Sequence, residues 1–174
     1  MRKTIKISVL ILVLGLTSYL VYGVITKMKY KSDVENTLQT IPNFNFKTLE
    51  NENFSNADLP SDTPTVFIYF NTECDYCQHE AQSINASLDE FKDVQLLFVS
   101  TEEAKIIETF AKKYNLLNTQ NIIFLNDTTH SFSRRFDATS IPYVLIYNSK
   151  QELIKKHKGQ LKAETIINLI KKSN

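Results

Sequence analysis

Cysteine, glycine, histidine and tryptophan are all scarce in this chain. Its 174 residues include two Cys, three Gly, three His and no Trp. Three glycines cannot make a Gly-rich phosphate loop, so nothing here is built to hold NAD(P)H or a flavin. The histidines (His79, His130 and His157) are scattered with no paired spacing, and two cysteines alone leave a zinc site short of ligands. Neither sign of charge dominates. A net charge of +1 lacks the basic excess that marks nucleic-acid binding. Repeats and low-complexity tracts are also missing.

What is present centres on Pro64 to Glu80. An apolar run rich in β-branched and aromatic residues (Val66, Phe67, Ile68, Tyr69, Phe70) reads as a buried central strand. A polar turn, Asn71-Thr72-Glu73, follows, and then the two cysteines, Cys74 and Cys77. A helical pattern (Cys77, Ala81, Ile84, Leu88, Phe91) begins at that point. The first helical turn offers unpaired N–H groups and a partial positive charge, which favour a thiolate on Cys74. Two intervening residues bring the second sulfur close enough to attack a mixed disulfide formed on the first. The pair can then cycle between dithiol and disulfide with no other cofactor. Two plainer uses compete with this one. A structural bridge over so small a loop would remove little chain entropy, and a metal site would need further ligands.

The amino terminus reads Met-Arg-Lys-Thr-Ile-Lys and continues from Ile7 to Ile25 without a charge. At ~1.5 Å per residue this run is roughly 28 Å long, close to the ~30 Å hydrocarbon core of a bilayer. No convincing small-x-small cleavage site follows, nor a lipoprotein cysteine. The expected organisation is a cytoplasmic n-region (1–6), a transmembrane signal anchor (7–26), a polar linker or short helix (27–39) and one α/β domain (40–174). Arg2, Lys3 and Lys6 before the anchor nearly balance Lys27, Lys29 and Lys31 after it. A short tail before a lone anchor usually stays inside, so the domain is placed outside the cytoplasm.

Within that domain, Phe44, Phe46 and Leu49 alternate with polar residues before a turn at 50–53, and Phe54 resumes, a hairpin pattern. Strands are expected at 94–100, 143–147 and 152–156, and a strand or loop at 121–125. Helices are expected over 104–117, 131–136 and 162–172.

Three local patterns in this order of elements give the chain a family resemblance. They are the strand running into Cys74-Asp75-Tyr76-Cys77, the run Ser140-Ile141-Pro142-Tyr143 ahead of an apolar strand, and Lys158-Gly159-Gln160-Leu161 between the last strand and helix. Together with Ile41-Pro42-Asn43-Phe44 and its hairpin, residues 40–174 resemble the thioredoxin-like fold. Within it they are similar to the membrane-anchored thiol–disulfide oxidoreductases of the TlpA/ResA type. The resemblance implies a central mixed sheet flanked by helices, an N-terminal β-hairpin extension and a preceding transmembrane helix.

For the site, it implies that Cys74 attacks, Cys77 resolves, and Asp75 and Tyr76 face the substrate. A cis peptide before Pro142 would let Ile141 offer backbone groups to an extended client, the alternative being a trans proline that starts a strand. Glu80 matches the glutamate of a C-x-x-C-x-x-E pattern and would relay the proton of Cys77, against a plain solvated carboxylate. Expected partners are extracytoplasmic proteins with disulfides and an upstream membrane electron donor.

The chain also departs from the family pattern. Glu73 stands where an aromatic residue is usual, Asp75-Tyr76 lacks the common proline, and Ile68 occupies the position of a buried aspartate in cytoplasmic thioredoxins. Carboxylates at 73, 75 and 80 oppose thiolate formation, which favours a reductase over a disulfide donor. Two alternatives remain. One is a thiol peroxidase, although Asn71 stands where such enzymes carry threonine. The other is a copper-handling module using both cysteines and His130, although related chaperones space their cysteines by three residues.

Overall fold

The computed structural model describes the backbone of residues 2–173 and, among these, the side chains outside 2–13 and 30–32. The chain forms two compact units, 1–37 and 38–174. The first is the helix α1 (Arg2–Leu38), which runs unbroken through the expected linker, so residues 27–38 are helix. Among its described residues Leu14, Leu16, Leu20, Val21 and Ile25 are all more than half exposed. No helix of the described residues is long and apolar enough to cross a membrane. The first part of the expected anchor, Ile7 to Val13, lies outside the residues whose side chains are described.

The second unit is built on a seven-stranded sheet. Its strands are β1 (Asn45–Thr48), β2 (Asn53–Ser55), β3 (Thr65–Tyr69), β4 (Gln95–Ser100), β5 (Ile122–Asn126), β6 (Tyr143–Tyr147) and β7 (Leu153–Lys158). They lie in the order β2-β1-β5-β4-β3-β6-β7. Strands β3, β4 and β5 are parallel, and the others join antiparallel. Every residue of β4 and β6 is buried. Burial on both faces explains why these strands read as continuous apolar runs and not as alternations.

Side chains divide between the faces with period two. Val66, Ile68, Phe70, Leu96, Phe98, Phe124, Val144 and Ile146 turn to one face. There they meet α2 (Asp75–Asn85), α3 (Ala104–Lys113) and α5 (Ala163–Ser173) through Cys77, Ala81, Ile84, Ile107, Phe110, Ile166 and Ile170. The other face is aromatic. Phe67 packs on Phe136 of the segment after α4 (Phe132–Arg135), with centroids 5.0 Å apart, and edge-on to Phe44 at 5.4 Å. The hairpin β1–β2 supplies Phe46 and Phe54 to this cluster, so it covers the sheet's second face as well as lying at its edge.

Two helix ends differ from the sequence pattern. The helix expected to continue to Phe91 stops at Asn85. Ser87 leaves helical space, and a separate 3-10 turn (Leu88–Phe91) swings Phe91 into the core. The helix expected to reach residue 117 ends at Lys113. Asn115 there adopts a left-handed φ of 54°, with Leu116 N–H on Ala111 O at 2.9 Å and Asn115 N–H on Lys112 O at 3.1 Å. That is a Schellman end, with asparagine in the role glycine commonly fills. Residues 122–126 are strand, not loop.

Candidate active site

The site begins where β3 runs out. Phe70 N–H still bonds to Val99 O at 3.0 Å, which keeps the chain in the sheet for one more residue. Asn71 then folds the turn, accepting Glu73 N–H on its side chain at 3.0 Å and Cys74 N–H on its carbonyl at 3.3 Å. Cys74 is the N-cap of α2, extended at φ −78° and ψ 116°, and its carbonyl takes the first helical bond, from Gln78 N–H at 3.0 Å. Its side chain makes no capping bond, so the sulfur is free to face outward.

Burial then sorts the two sulfurs. Cys74 is half-buried, whereas Cys77, one turn further in, is 2% exposed. Both are free thiols. Burial pushes the Cys77 thiol well up. The Asn71 backbone opposes that rise, while the neighbouring Cys74 and the Glu80 charge add to it.

Facing them is the proline loop. The Ile141–Pro142 peptide is cis, and the Ile141 carbonyl lies 3.9 Å from Cys74 Sγ. Pro142 is buried, and its carbonyl accepts Gly159 N–H at 2.8 Å. Gly159 has a φ of +89°, and this turn requires its freedom. The Ile141 side chain is 42% exposed and that of Tyr76 65%, while Glu73 and Asp75 are also exposed. A groove of about 410 Å³ runs beside the loop, lined by Tyr69, Ser133, Ala138, Thr139, Ser140 and Ile141. A larger cavity of about 820 Å³, around Pro60, Leu88, Gln95 and Asn121, takes in none of these residues.

Glu80 lies one helical turn past Cys77 and is fully buried, so a solvated carboxylate is excluded. Its Oε1 accepts Leu161 N–H at 2.9 Å, and its Oε2 has no partner. Burial raises its pKa to about 8, against the lowering effect of the Leu161 bond. Ile68, 1% exposed, belongs to the same apolar core as Cys77, and Glu80 is the carboxyl whose charge acts on the Cys77 thiol.

The structure therefore gathers Cys74, Cys77, Glu80, Ile141 and Pro142, with Asp75 and Tyr76 in the exposed first turn of α2. Among the described residues no group of three or more His, Cys, Asp or Glu could hold a metal ion. His130 is exposed in the loop after β5. Arg135 donates to Asn43 O at 2.8 Å. One residue near the site was overlooked. Glu102 precedes α3 but is not its N-cap, which is Glu103. Its carboxylate turns instead to the loop before Cys74.

Comparison with known proteins agrees with this geometry. Residues 37–166 match the AhpC/TSA family. The chain belongs to that family. A thioredoxin-like protein of Haemophilus influenzae is 25% identical over 142 residues, covering 80% of this chain and 82% of the relative. Among solved structures, Mycobacterium tuberculosis DsbF superposes with a TM-score of 0.65 at 20% identity, over 79% of this AhpC/TSA chain and 97% of DsbF. StoA of Bacillus subtilis gives 0.59 at 20% identity, over 75% and 98%. Peroxidoxin BcpB of M. tuberculosis gives 0.66 at 13%, over 78% and 96%. At these identities the structural likenesses establish the thioredoxin-like fold. The resemblance to the thioredoxin-like fold is borne out.

Proposed function

We propose that this chain is a membrane-anchored, extracytoplasmic thiol–disulfide oxidoreductase that reduces disulfides in client proteins. One observation carries the reading: the half-exposed Cys74 sulfur stands against the Ile141 carbonyl while Cys77 waits buried behind it. The Cys74 thiolate attacks one sulfur of a client disulfide. A mixed disulfide forms, and the client's other sulfur leaves as a thiolate. Cys77 then attacks Cys74 Sγ, which closes the Cys74–Cys77 disulfide and releases the client's second thiolate. Two electrons pass from the pair to the client. An upstream membrane donor restores the dithiol.

Ile141 supplies backbone groups to an extended client segment, while Asp75 and Tyr76 border it. Glu80 takes the proton that Cys77 must lose. A carboxyl near 8 exchanges protons with a buried thiol far better than one at the usual carboxylate value. The exposed carboxylates Glu73 and Asp75 support the reducing direction, since negative charge near the pair disfavours a stabilised dithiolate. Equilibration of the full-length protein with glutathione is expected to give a potential at or below ~−240 mV, the cytosolic glutathione range. A value near the ~−120 mV of strong oxidants of this fold would refute the reductase direction.

Anchoring is supported by the charge-free sequence from Ile7 to Ile25 and by the exposed apolar side chains of α1 from Leu14 onward. Fusions at the carboxyl terminus are expected to make alkaline phosphatase active and a cytoplasm-dependent reporter silent. The reverse pattern would place the domain inside.

Peroxide reduction is the second reading, favoured by the match to the AhpC/TSA family. Against it, Asn71 occupies the position such enzymes give to threonine, and the neighbouring Thr72 hydroxyl is already bonded to Glu102 at 2.8 Å. Peroxide consumption at rates rivalling protein-disulfide reduction would reverse the preference.

A further inference from the structure

Thr72 lies two residues ahead of Cys74 and is gripped by a carboxylate from another part of the chain. Glu102 sits between β4 and α3. Its Oε2 accepts the Thr72 N–H at 2.8 Å, and its Oε1 accepts the Thr72 hydroxyl at 2.8 Å. The Ser100 hydroxyl donates to Oε2 at 3.1 Å and accepts the N–H of Glu102 at 3.2 Å. The Asn126 side-chain amide donates to the Glu102 carbonyl. On its far side, Thr72 accepts Gln78 Nε2 at 2.9 Å, which ties the same residue to α2. β4, the cysteine loop and α2 are thus joined through one threonine.

We infer that Glu102 is a positioning residue for the redox pair, holding the loop so that Cys74 stays within closing distance of Cys77. This rests on the exchange chemistry proposed above. Bonds to an ionised acceptor are roughly twice as strong as neutral ones. Two of them on one residue restrain its backbone and its side-chain rotation together. The restraint matters because a disulfide demands an S–S distance of ~2.05 Å, whereas a dithiol tolerates a range. A loop free to swing lowers the effective concentration of Cys77 at Cys74, which weakens ring closure. Capping of α3 does not account for Glu102, since α3 is capped by Glu103 and the Glu102 carboxylate is taken up by Thr72 and the Ser100 hydroxyl.

The test is made on the full chain, with Glu102→Ala, Glu102→Gln and Thr72→Ser, each equilibrated in glutathione buffers and read by alkylation of free thiols. This readout needs no client. Glu102→Ala is expected to lower the equilibrium constant for forming the Cys74–Cys77 disulfide about tenfold, equivalent to a potential ~30 mV more positive. Glu102→Gln, which keeps an acceptor for the Thr72 N–H and can donate to the Thr72 hydroxyl but removes the charge from both contacts, is expected to lower it about threefold. Thr72→Ser keeps both contacts and is expected to match the wild type. A purely structural role would lower the melting temperature and leave this constant alone. The inference is overturned if folded Glu102→Ala stays within twofold of the wild type. Should that variant fail to fold, the same result in Glu102→Gln overturns it. Turnover of protein disulfides by the wild type is measured separately, and its absence would count against the proposed function while the glutathione constants still decide the role of Glu102.

Discussion

Cys77→Ala is expected to stop the reaction half-way. Cys74 keeps its place at the start of α2 and still attacks a client disulfide, but nothing is left to release the product. Multiple turnover should fall roughly 10³-fold or more, as is usual when one member of a catalytic unit is removed. Mixed disulfides should accumulate on Cys74, visible as slow-migrating bands on a non-reducing gel that collapse with a reductant. Cys74→Ala should accumulate none, because the remaining sulfur is 2% exposed and lies behind the first. The trapped bands also identify the clients. Equal trapping by both variants, or a Cys77→Ala enzyme with a tenth of normal turnover, would mean that the two sulfurs do not divide the work in this way.

Glu80→Gln should separate proton transfer from docking. The carboxyl's pKa rises from 4.5 in the unfolded chain to about 8 in the folded one. Between those values the native state holds a proton that the unfolded state has released, so unfolding free energy falls as pH rises. The contribution is intact below about pH 4.5, declines by up to ~1.4 kcal/mol per pH unit and levels off above about 8. Glutamine removes that slope, and chemical denaturation at pH 5, 7 and 9 reads its loss. The rate of the Cys77-dependent step in the wild type should climb as pH passes through about 8, because only the ionised carboxyl can accept the thiol proton. In Glu80→Gln the step should be slower by ~10²-fold, a usual size for general acid–base help, and should lack the inflection. A variant with normal speed and an unchanged inflection would remove Glu80 from the chemistry.

Much of this was legible in sequence because the site's central pieces are contiguous. A buried strand, a short turn, two cysteines and a helix follow each other from Val66 to Ile84, and each step has a local cause. Ser140-Ile141-Pro142 announced its loop, though its 3.9 Å approach to Cys74 is a fact of tertiary packing. Glu80 was placed by its spacing from Cys77, but spacing alone could not separate a buried acid from a solvated one. Burial depended on α5 and the Leu161 N–H arriving from 81 residues away. Glu102 was out of reach for a similar reason. Its bonds to Thr72 span 30 residues, and a glutamate before a helix has a common local use that this one does not serve. The hairpin pattern did not show that its phenylalanines cover the sheet's second face, because alternation shows which face a residue takes and not what lies over it.

The bend at Lys158 to Leu161 meets two demands at once. At Gly159 it ties down the carbonyl of the proline in the cis loop facing Cys74, and at Leu161 it supplies the single bond made by the hidden acid. Any remodelling of this corner would therefore be felt at both places together. A lineage that reshaped it to welcome a new guest would inherit an altered proton store with it, and the two traits could not be tuned apart.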